Sequence, residues 1–274
     1  MAKIIGKEWA PVFEEKHTDE EDAEELLGEY MNIKQWDWSV SKPPTKEHVD
    51  YYLDSLKKNC APATDGCPPA AWRHGGPLIK SYVTELKNSA LSGKTIPEKC
   101  NMGMKVFLPK GENSNEEILN RQAYRKPKDL RPLMLQNEDR KCVAGALNCS
   151  ILPTIICCCS ILQRGFVPGR ILLQNAVDID AASRLFTLEF YGKTRRKYEQ
   201  SLENALKWVL ECLPLTVLFD YAAAFPSVAH KWLRSILRMI KIPKGLLNAF
   251  NSLYTGSEAY TNVGGLLRWL FRIK

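Results

Sequence analysis

The chain is 274 residues long, 45% hydrophobic and 25% charged, which fits a globular protein of one large domain or two small ones. Its nine Cys are odd in number, with no C-x-x-C pair and no Cys/His ladder at zinc spacing. They exclude a zinc finger and read as reduced thiols of an intracellular protein. The net charge of +7 is uneven: residues 1–40 hold four Lys against eleven Asp and Glu, a net of −7, which leaves +14 on the rest. An acidic partner such as a nucleic acid belongs on that basic body.

Residues 1–15 lack the apolar run of a secretory signal. The acidic, Pro-punctuated segment 1–44 reads as a solvated lead-in, either a helix or a partly disordered linker. Thr45 is a plausible N-cap for a helix with Val49, Tyr52, Leu53 and Leu56 on one face. Residues 59–66 read as a loop, and Ile79, Tyr82, Val83 and Leu86 mark a second amphipathic helix. Strands are expected over 105–109 and 130–135, joined as a hairpin whose tip carries Lys110, Arg121, Arg125, Lys126 and Lys128.

The apolar run 143–162 is long enough for a membrane, but Asn148, Ser150 and Pro153 interrupt it and basic residues flank it. The expectation is a buried helix pair broken at Pro153, with no membrane partner. Gly165 to Arg170 reads as a turn, and 192–204 as a basic, polar surface insertion. Leu215 to Phe219 has the pattern of a buried strand ending at Asp220. Ser227 is expected to cap a helix with Trp232, Leu233, Ile236, Leu237 and Ile240 inward, and Pro243 to open another. Helices and strands do not alternate regularly, so the class expected is α+β.

Three places could carry chemistry. A carboxylate at the tip of a buried strand, Asp220, could hold a divalent cation, or it could cap a turn. Lys110 and Arg131 could meet across the hairpin and grip a triphosphate, or form part of a solvated surface. Gln163 to Arg170 sets a glycine turn between two Arg, suited to phosphate contact or to a plain connection.

In this order, the segments resemble the reverse transcriptase domain of non-LTR retrotransposons. Thr64, Asp65, Gly66, Cys67 and Pro68, with Trp72, resemble its "GPDGIP…W" entry, although Ala63 and Thr64 replace Gly-Pro. Phe107 to Gly111 resembles the first fingers strand, and Leu130 to Leu133 with Asn137, Asp139 and Lys141 resembles "yRPI.L.n.dyK". Gln163, Gly165, Phe166, Gly169, Arg170 and Asn175 match "Q.GF..GR…N", and Leu218 to Val228 is close to "lfDf..AFpsV". The match runs from about Asp65 to Val228 and leaves segment 1–44 outside.

The resemblance implies fingers and a partial, ferredoxin-like palm of a right-hand polymerase over 45–274. It implies RNA-directed DNA synthesis on an RNA template, a DNA primer and a dNTP. Asp220 would bind Mg2+, Lys110 and Arg131 would contact the triphosphate, and Phe225 would exclude a ribose 2′-OH. Gln163, Gly165 and Arg170 would help place the template. The family's Gln-Gly and aromatic-x-Asp-Asp segments are absent from these 274 residues. The expectation is therefore that this chain alone extends no primer. The alternative is a non-catalytic nucleic-acid-binding remnant.

Overall fold

The computed structural model describes residues 1–33, 35–57, 59–110, 126–212 and 226–274. Among them, ten helices and a four-stranded mixed sheet make an α+β protein, the class expected. The first helices are α1 (Ala2–Phe13), α2 (Glu20–Ile33), α3 (Lys46–Ser55), α4 (Pro69–His74) and α5 (Gly76–Leu91). Strands β1 (Met102–Pro109) and β2 (Leu130–Gln136) precede α6 (Glu138–Cys158), α7 (Leu173–Gln200) and α8 (Leu202–Cys212). Helices α9 (His230–Met239) and α10 (Lys244–Tyr254) lead to β3 (Glu258–Val263) and β4 (Leu266–Arg272). The chain divides into two units, Met1–Thr154 with Ala223–Lys274, and Ile155–Ala222.

The helical core of the first unit follows the expected periodicity. The Thr45 N–H donates to His48 Nδ1 at 3.0 Å, closing the start of α3. Val49 and Leu53, one turn apart, are 0% and 1% exposed and meet Val83, Leu86 and Ala90 of α5. Full burial of each such aliphatic side chain contributes about 1.5–3 kcal/mol. Cys142, Val143 and Ala146 of α6 and Leu246, Ala249 and Leu253 of α10 complete the cluster. Cys100 and Cys142 are packed as small apolar groups, and burial pushes the Cys100 thiol up to about 12.

The sheet runs β2-β1-β3-β4, with β1 antiparallel to β2, parallel to β3, and β3 antiparallel to β4. Gly264 and Gly265 form a two-residue hairpin turn, both at positive φ (62° and 81°), which Gly adopts without a Cβ clash. Helix α1 lies on one sheet face. Ile5, Trp9 and Phe13 are buried with Ala259, Leu270 and Phe271, and Phe13 stacks on Phe271 at 5.1 Å. The lead-in expected to be solvated thus contains a core helix. Its carboxylates crowd 14–29, while Ile5, Trp9 and Phe13 recur every four residues, an apolar stripe that average charge conceals.

Two expectations about α6 and α9 are corrected. Helix α6 passes through Pro153 instead of breaking there. Thr154 Oγ1 donates to Asp37 O at 3.1 Å and pairs with Ser41 Oγ at 2.7 Å, and Ser150 Oγ donates to Lys42 O. These bonds hold the turns on both sides of a residue that lacks its own N–H. By length and composition α6 could cross a membrane, and part of it is packed in the helical core. Helix α9 starts at His230 rather than after Ser227, because Ala229 is still extended (φ −67°, ψ 126°).

The described part of the second unit is the end of α6, a turn, and the pair α7 and α8. Phe190 links the two helices, with Phe186 at 6.3 Å on one side and Trp208 at 6.3 Å on the other. Residues 192–204, expected as a basic, polar surface insertion, are mostly exposed and helical except for Ser201. Exposed i,i+4 pairs along α7, such as Arg184–Asp180 (2.8 Å) and Arg195–Glu199 (3.1 Å), support its polar surface.

Candidate functional site

The β1–β2 ladder sets the geometry of the two expected hairpin cations. Leu108 opposes Arg131, and the Lys110 N–H donates to Asp129 O at 2.9 Å, extending the ladder one pair further. Alternation therefore carries Lys110 and Arg131 to the same face of the sheet. Arg131 is exposed, and Lys110 Nζ donates to Lys128 O at 3.0 Å. Residues 111–125, including Arg121 and Arg125, lie outside the described residues.

Two segments of the resemblance meet behind the hairpin. Asn137, only 4% exposed, accepts Thr64 Oγ1 at 2.8 Å and the Asp65 N–H at 3.3 Å, and donates to Lys99 O at 2.9 Å. Asp65 Oδ1 accepts the Cys67 N–H at 3.0 Å across Gly66, whose φ is +69°. An Asx turn before Gly explains this loop from its residue types.

In the second unit, the Arg170 guanidinium faces the C-terminal end of α6. It donates to Ser160 O and Gln163 O at 2.5 and 2.8 Å, and to Ile156 O and Cys159 O at 3.0 and 3.3 Å. Four backbone acceptors occupy the side chain that the resemblance would place against a template. Gln163 Nε2 donates to Gly165 O at 2.9 Å, also inside the turn. Phe166, at φ +62°, holds its ring 94% exposed, a backbone strain of roughly 1–3 kcal/mol for a non-Gly residue. Arg164 pairs with Asp178 at 2.5 Å; hydrogen bonds from Gln174 and then Arg164 hold the Asp178 carboxyl below its ordinary range.

Asp220 and Phe225 lie outside the described residues. Among the described residues no group of three His, Cys, Asp or Glu is placed to hold a metal ion. Pro226 and Val228, immediately downstream, line a cleft of about 320 Å³ in the first unit.

That cleft contains a residue the sequence reading passed over. Lys105 lies on the face of β1 opposite to Lys110 and Arg131, across from Met134. Only 4% of it is exposed, and its Nζ sits 3.8 Å from the centre of the Phe13 ring. Desolvation pulls its pKa down to about 8. Arg140, His230 and Lys274 line the same cleft. Arg140 donates to Leu253 O at 2.6 Å, and His230 packs edge-on against Tyr254 at 4.9 Å. Burial, and then Arg234 and Arg140, lower the His230 pKa. A lone Lys inside an otherwise apolar strand, Met102 to Pro109, was the available signal. No protein-family model matches the chain, and no curated protein is significantly similar to it.

Proposed function

We propose that the chain is the fingers and part of the palm of an RNA-directed DNA polymerase of the non-LTR reverse transcriptase type. It would bind an RNA template, a DNA primer and a dNTP. The observation carrying this reading is the β1–β2 register, which leaves Lys110 and Arg131 on one sheet face as near neighbours. Two cations so spaced can neutralise a triphosphate, Arg through its planar fork and Lys as a point charge. The bonds from Thr64 and Asp65 to Asn137 add support, since they join two segments of the resemblance. Asp220 is the proposed magnesium ligand, and Phe225 the proposed discriminator against ribose, on the sequence alone.

Binding and extension are measured together on a labelled RNA–DNA primer–template with dNTP. Lys110→Ala and Arg131→Ala are each expected to weaken retention of the dNTP by about tenfold. Primer extension above an Asp220→Ala control establishes a polymerase. Salt-sensitive RNA affinity that survives Asp220→Ala, without extension, favours the binding-only remnant. Absence of RNA affinity at low salt overturns both readings.

A further inference from the structure

An ammonium that has no protein acceptor among the described residues and meets solvent only through a cleft is costly to hold, and Lys105 carries such an ammonium. It is 4% exposed and lines the cleft with its ammonium against the Phe13 ring. Among the described residues no carboxylate or carbonyl accepts from its Nζ. No Asp or Glu among them lines the cleft, whereas Arg140, His230 and Lys274 do. Gln136, on the same sheet face and in the cleft lining, has a buried Oε1 that meets no donor. A neighbouring hollow shares His230, Tyr254 and Lys274 and adds Lys16, Lys231, Arg234 and Arg272 beside Glu15. Glu15 is itself paired with Lys231 at 3.1 Å.

We propose that this cleft is an anion site for a phosphate group, with Lys105 as its innermost ligand and Arg140, His230 and Lys274 around it. The bound anion supplies the acceptor that Lys105 lacks, and the apolar wall of Phe13, Pro132 and Met134 strengthens the attraction by excluding water. The site lies on the sheet face opposite Lys110 and Arg131, so it does not rest on the polymerase reading. The phosphate could belong to a free polyphosphate or to the phosphodiester of a nucleic acid strand.

Calorimetric titration with tripolyphosphate, and separately with a short single-stranded RNA, tests the proposal on the full chain. Saturable binding of tripolyphosphate, weakened about tenfold by Lys105→Met, identifies a free polyphosphate site. If Lys105→Met weakens only RNA binding, the phosphodiester is the ligand, and the slope of log affinity against log salt falls by about 0.7. Arg268→Gln removes one exposed charge from β4 and should leave tripolyphosphate affinity unchanged. His230→Gln keeps a polar side chain and should also weaken binding, which keeps the test decisive if Lys105→Met fails to fold. The proposal is overturned if the wild type binds neither ligand, or if the folded cleft variants bind both as tightly as the wild type.

Discussion

Lys105 and the buried thiols make opposite demands on pH. The Lys105 ammonium, which loses its proton at about 8 in the fold and near 10.4 in the unfolded chain, holds that proton more weakly in the folded state. Between those values the unfolded chain carries more protons, so stability rises with pH and the gain is complete above the unfolded value. The gain is on the order of 3 kcal/mol. Cys100 and Tyr52, both raised to about 12 mainly by burial, act the other way, because the unfolded chain ionises first as pH rises. Lys105→Met should therefore be more stable than the wild type below pH 8 and lose that advantage towards pH 10.5. Denaturant melts of both proteins across that range check this. A constant difference between them would mean that Lys105 is not desolvated.

The end of α6 is held by Arg170, a residue of the turn that follows it. Arg170 gathers carbonyls from Ile156, Cys159 and Gln163 at the end of α6 and in the following turn, and from Ser160, whose O also accepts the Gln163 N–H at 3.0 Å. Arg170→Ala should cost about 1–2 kcal/mol locally, since water replaces part of the lost bonding. Hydrogen exchange should accelerate over 155–165 and stay unchanged in the β1–β2 hairpin. An unchanged α6 end together with weakened RNA binding would return Arg170 to the nucleic-acid role expected from its motif.

For the whole molecule, the decisive feature is the sheet face away from α1. Strand register gathers Leu108 (44% exposed), Leu133 (48%), Leu267 (44%) and Trp269 (56%) there, beside Lys110 and Arg131. A patch of this kind favours association of protein surfaces. The sedimentation coefficient should rise with protein concentration, and Leu133→Lys with Trp269→Lys should abolish the rise. A concentration-independent monomer in the wild type would show that Lys110 and Arg131 already keep copies apart.

The sequence by itself determined the elements whose signals are local. Thr45, Val49 and Leu53 specify α3 by capping and a 3.6-residue period, and 105–109 and 130–135 specify the hairpin by composition. It also put Lys110 and Arg131 near each other, since a hairpin needs only its own ladder. Tertiary structure decided what depends on distant groups. Pro153 stays inside α6 because Asp37, Ser41 and Lys42 reach it, and α1 is core because a sheet ending at residue 272 covers it. Arg170 was turned onto backbone carbonyls by the path of its loop. Lys105 became a cleft lysine only when Phe13, Arg140 and His230 arrived from three other parts of the chain. Periodicity records which face of an element is apolar; which neighbour meets that face is set by packing, and packing is not local in sequence.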